Sequence, residues 1–80
     1  MITIQAAKNL KHGTILYHVI NRNADKTPQR WKVNGMVKTW KRDKTRIQIP
    51  LKHGLYDYGY LTEYDLNLVC LDENEALNGV

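Results

Sequence analysis

The sequence has little of what staples or decorates many small proteins: one cysteine, two prolines and no phenylalanine among 80 residues. A lone Cys70 cannot close an internal disulfide, so packing alone must hold the fold. No apolar run approaches the roughly 18–20 residues that cross a bilayer. Residues 1–11 lack the basic flank and long apolar stretch of a signal peptide. A cytoplasmic location with no membrane partner is therefore expected. His12, His18, His53 and Cys70 fall at no metal-ligand spacing. No glycine-rich phosphate loop, nucleophile with base and orienting partner, or carboxylate dyad in a cleft can be found. A domain this small also has little concave volume for a small-molecule substrate. A non-catalytic binding module without metal or cofactor is the expectation.

Charge is missing from one region too. All twelve Lys and Arg lie in residues 1–55, alongside only Asp25 and Asp43, whereas residues 56–80 hold six acids and no Lys or Arg. Such segregation gives a dipolar molecule, a basic face beside an acidic flank. The hydrophobic fraction of 42% is that of a globular chain rather than a disordered one. At this length it makes a single domain, residues 1–80.

The segment 1–12 reads as a short N-terminal helix. Thr3 caps it, Ile4, Ala7 and Leu10 share one face, and Gly13 ends it. From Thr14 the pattern turns to strands: 14–20, then a polar loop over 21–29 with Asp25 and Thr27-Pro28 as turn chemistry. Arg30–Val33 and Met36–Lys41 flank Asn34-Gly35, the dipeptide that best fits a type I′ hairpin turn. That hairpin would set Val33 opposite Met36, Lys32 opposite Val37 and Trp31 opposite Lys38. Trp31, Val33, Met36, Lys38 and Trp40 would then share the core side. Arg46–Lys52 alternates, with Ile47, Ile49 and Leu51 facing one way; Pro50 marks it as an edge or a broken strand. Strands at 56–61 and 67–71 enclose a single helical turn at 62–65, and 72–80 forms a frayed acidic tail.

The segment Gly59-Tyr60-Leu61-Thr62-Glu63-Tyr64-Asp65-Leu66 resembles the ending of SH3-like barrels, in which a one-turn helix precedes the closing strand. The resemblance implies a mainly β fold, a small five-stranded SH3-like barrel over 13–71, and an open meander with the N-terminal helix packed across it is the alternative. A second resemblance rests on four strings. These are Asn23-Ala24-Asp25-x-Thr27-Pro28, Val33-Asn34-Gly35-x-Val37-Lys38-Thr39-Trp40-Lys41, Lys52-His53-Gly54-Leu55 and Leu61-Thr62-Glu63. Together they look like a group of small proteins encoded by tailed bacteriophages. That likeness implies a setting, the infected host cytoplasm, and no mechanism.

Two recognition surfaces stand out. Arg30 to Lys52 carries eight Lys and Arg against Asp43 alone, more than solubility requires. Arg30, Lys32, Lys41, Arg42, Lys44 and Arg46 would hold DNA or RNA phosphates, with Trp40 as a stacking contact. Tyr56, Tyr58 and Tyr60 alternate and so share a face. Turned outward, they would form an aromatic stripe for a protein partner, and a host factor is the alternative ligand. Turned inward, they would belong to the core. The residues alone leave both orientations open.

Overall fold

The structure, a computed structural model, describes residues 2–78. Met1, at the head of the expected helical segment, and Gly79 and Val80, at the end of the expected tail, lie outside the described residues. Thr3 does cap a helix: its Oγ1 accepts the Ala6 N–H at 3.1 Å, and α1 spans Ile4–Lys8. It is half the expected length. Asn9 stops it, turning its side-chain amide back onto the Gln5 carbonyl, the competition with helical bonding typical of asparagine. Gly13 serves the next turn instead. With φ +92° it donates its N–H to the Val33 carbonyl at 2.8 Å.

Strand β1 (Ile15–Arg22) pairs antiparallel with β2 (Pro28–Val33). The turn between them is fixed by Asp25, whose Oδ1 accepts both the N–H and the hydroxyl of Thr27. The β1–β2 register shifts between Tyr17 and Arg22. Within that irregularity His18 Nδ1 accepts the N–H groups of Ile20 and Asn21, taking over donors that the bulge removes from the ladder.

The expected Asn-Gly hairpin does not form. Strand β3 (Lys38–Thr39) pairs with β4 (Ile47–His53), and so does β2. Val33 faces Leu51 and Lys32 faces Lys52; further along, Lys38 faces Gln48 and Thr39 faces Ile47. Both therefore run in one direction along one edge of β4, as a single strand interrupted at residues 34–37. Pro50 supplies the cause. Its carbonyl still accepts the Asn34 N–H at 2.8 Å, but it has no N–H to return. The ladder breaks there, and Gly35, at φ +121°, packs toward the Pro50 ring. Local turn chemistry favoured a hairpin; the missing donor across the sheet favoured a bulge, and the bulge won.

The other edge of β4 pairs along its length with β5 (Asp57–Thr62), from Gln48 opposite Thr62 to His53 opposite Asp57. Thr62 then caps a 3-10 helix, Glu63–Leu68, through a reciprocal capping box with Asp65. Strand β6 (Val69–Cys70) follows and pairs with β1. The fold is thus mainly β, a six-stranded antiparallel sheet. Closure does not follow: among the described residues β5 and β6 form no ladder, so the sheet is not a closed barrel.

Leu16, Val33, Ile47, Ile49, Leu51 and Val69 point to the inner face, where Ile2, Ala7 and Leu66 cover them. Among the described residues the acidic end, 72–78, is not frayed. Asp72 Oδ1 accepts the Asn74 N–H at 2.7 Å and caps α2 (Glu73–Leu77). This helix packs on β1, β6 and β2, buries Ala76 completely, and receives the Arg22 guanidinium on the Ala76 carbonyl at 2.9 Å.

Candidate functional site

Directly opposed residues in an antiparallel ladder project to the same side of the sheet. The registers therefore lay out the outer face row by row. One row runs Ile15, Lys32, Lys52, Tyr58 across β1, β2, β4 and β5. The next positions on either side give Tyr17 with Arg30, and Pro50 with Tyr60. The far row is Lys38, Gln48, Thr62. Four cations and two exposed tyrosines thus share one surface, where the sequence had offered two separate ones. Ile15, Arg30, Lys32, Lys52 and Gly54 line a shallow depression of about 210 Å³ on it. Lys52 Nζ sits 5.7 Å from the centre of the Tyr58 ring. Among the described residues no carboxylate pairs with Arg30, Lys32, Lys38 or Lys52, so their charge is available to a ligand.

The orientation of β5 is now decided. Leu61 packs against the core, while Tyr58 is 63% and Tyr60 67% exposed. Tyr56 is more exposed still, but it lies in the turn before β5 rather than on the ladder. Lys41, Arg42 and Lys44 sit together on the exposed loop 40–46, beyond the end of β3. They flank the face without belonging to it.

Trp40 and Arg46 lie where that loop meets the sheet. The Arg46 guanidinium carbon is 4.2 Å from the centre of the Trp40 ring and Lys38 Nζ is 5.0 Å from it. The half-buried Trp40 is thus already engaged by cations, and the exposed tyrosines are the freer aromatic surfaces. Trp31 faces the opposite side, tilted against His53 at 4.7 Å with its N–H directed to Gln29. It is part of the interior, as expected. Met36, placed inside by the hairpin reading, is instead 89% exposed, and Lys38 moves outward for the same reason.

Two acids within the basic region are spent on turns. Hydrogen bonds from Thr27 hold the Asp25 carboxyl below its ordinary value, and those from Thr45 do the same for Asp43. Each is an anion committed to a local cap, and the nearby Arg30 and Arg46 charges add more weakly to the effect at Asp25 and Asp43 respectively. On β1, burial and then the Arg22 charge push the His18 imidazole below its usual value, consistent with its role as a neutral acceptor.

Lys38, Lys52 and Tyr64 were not singled out from the sequence. For Lys52 the signal was present: the alternation of Ile47, Ile49 and Leu51 already turned it outward. For Lys38 it was not, because the hairpin register gave it the wrong side.

Comparison with known proteins gives no matching family model, no matching curated protein and no matching solved structure. No cluster of three or more His, Cys, Asp or Glu able to hold a metal occurs among the described residues. No helix among them is long and apolar enough to cross a membrane. The outer face is therefore read on its own chemistry: unpaired cations in adjacent rows, bordered by exposed phenol rings.

Proposed function

We propose that this chain is a non-catalytic module that binds single-stranded nucleic acid across the outer face of its sheet. The ladder registers carry the proposal, because they set Arg30, Lys32, Lys52 and Lys38 beside Tyr58 and Tyr60. The cations take phosphates, and the tyrosines take base faces. Residues two apart on a strand stand about 6.6 Å apart, close to twice the 3.4 Å rise of a stacked strand. Bases already stacked in a duplex cannot reach both rings, whereas the separated bases of a single strand can. Lys41, Arg42, Lys44 and Arg46 extend the positive field along the strand's path.

The open sheet is an SH3-like arrangement, supported by the 3-10 helix between β5 and β6 and by the return of β6 to β1. The setting is a phage-infected cell, supported by the four strings of residues named above.

Fluorescence anisotropy with labelled single-stranded DNA, RNA and duplex DNA tests the function. Micromolar binding to single strands that weakens steeply with salt is expected, with weaker duplex binding. Absence of binding at low salt would overturn the proposal and turn attention to a protein ligand for Tyr56, Tyr58 and Tyr60.

A further inference from the structure

At the end of the outer face beyond Gln48 and Thr62 the surface deepens into a concavity of about 630 Å³. It holds more than phosphate-binding charge. Its wall includes Lys38 and Arg46, the 85%-exposed Tyr64, the Gln48 amide and the Glu63 carboxylate. Glu63 Oε1 accepts the Ile47 N–H at 3.0 Å, which fixes the side chain at the rim of β4. No other group among the described residues donates to this carboxylate, and none bonds the Gln48 side chain. A carboxylate offers about four acceptor sites and a glutamine amide both donors and an acceptor. A held acid, an amide with no protein partner among the described residues, an exposed ring and two cations therefore line one hollow.

A carboxylate is a poor neighbour for phosphate, so this hollow suits the neutral part of a nucleotide. An anionic acceptor selects bases by their N–H donors. Guanine presents two adjacent donors, N1–H and the N2 amino group, next to the O6 acceptor. Adenine presents one amino donor beside an acceptor, and uracil a single N–H between two carbonyls. Glu63 can accept the two guanine donors while the Gln48 amide donates to O6. Tyr64 supplies the stacking surface, and Lys38 and Arg46 the contacts for the flanking phosphate.

We infer that this concavity is a base-reading subsite, selective for guanine, at one end of the single-strand path. The inference rests on the proposed single-strand binding and adds sequence preference to it. Three labelled nine-nucleotide RNAs of uridine test it, the central residue being uridine, adenosine or guanosine. The central guanosine should tighten binding about tenfold over uridine, the size expected of one two-bond contact, and adenosine less. Glu63→Gln retains an oxygen for the Ile47 N–H and should bring the central-guanosine and all-uridine RNAs to equal affinity, the all-uridine binding itself rising slightly with the loss of a negative charge beside the phosphate path. Should that variant unfold, Tyr64→Ala removes only an exposed ring and should cut the same advantage severalfold. Equal binding of the three RNAs, a stronger adenosine effect, or a guanosine preference that survives Glu63→Gln would overturn the subsite while single-strand binding stands. No binding to any of the RNAs would overturn both.

Discussion

The outer face of the sheet has two halves that begin alike and end differently. Over β1 and β6 it carries Tyr17, Cys70 and, from β2, Pro28; over β2, β4 and β5 it carries Lys32, Lys52, Tyr58 and Tyr60. Helix α2 covers the first half. Cys70 and Ala76 are fully buried yet lie apart from the main core cluster, so they form a second, smaller apolar layer outside the sheet. The second half has no cover. A surface of uncharged side chains can be roofed by one short helix, whereas a surface of lysines cannot be desolvated without a matching set of anions. The acids that could have matched them, Glu73 and Glu75, are instead on the roof of the neighbouring half.

Experiments can break this division at either half. The largest effect is expected from Lys32→Glu with Lys52→Glu. Single-strand affinity should fall by roughly 100-fold at low salt, and the slope of log affinity against log salt should shrink by about 1.4, at about 0.7 per phosphate contact. Tyr58→Ala with Tyr60→Ala should cost about 1 kcal/mol for each base released, the low end of base stacking on an exposed ring, with the salt slope unchanged. Titrations at three salt concentrations separate the two variants.

On the covered half, Ala76→Glu forces a charge under α2 and should lift the helix. Cys70 should then react with a thiol reagent roughly tenfold faster or more, as expected of a local opening. Glu73→Lys with Glu75→Lys should leave the fold in place and raise single-strand affinity by about threefold, an effect that disappears as salt shortens the screening length.

The smallest effect concerns acid. His18 has a lowered value in the fold, so the unfolded chain takes up the proton first as pH falls below about 6.5. Stability should decline through that window and level off once the folded imidazole is protonated too. Denaturant midpoints at pH 7.5 and pH 5.5 should show the decline, and His18→Gln should flatten it.

Local patterns revealed much of this architecture in advance. Thr3 as a cap, the alternation of Ile47, Ile49 and Leu51, the β5 strand and the turn after Thr62 all follow from residues within a few positions of one another. The failures were of two kinds. Asn34-Gly35 carries a strong turn signal, but its outcome depended on Pro50, a partner that only the sheet brings near. The acidic tail held a readable signal, Asp72 followed three residues later by Glu75 ahead of Ala76 and Leu77, which is a helix start. Its charge drew the reading toward disorder instead. As for the candidate site, its cations were visible as a run. Their union with Tyr58 and Tyr60 was not, since cross-strand registers depend on pairings that no single segment encodes.

The contact between Arg22 and the Ala76 carbonyl also bears on the order in which the molecule assembles. It joins positions 54 apart in the chain, whereas β4 and β5 meet across residues 54–56. Closing the short loop costs far less entropy than closing the long one, and nearby contacts form earlier in folding. Lys52, Tyr58 and Tyr60 of the open half can take shape on the nascent β4–β5 hairpin. The clasp of β6 and α2 onto β1, which spans the long loop, is the costlier of the two closures.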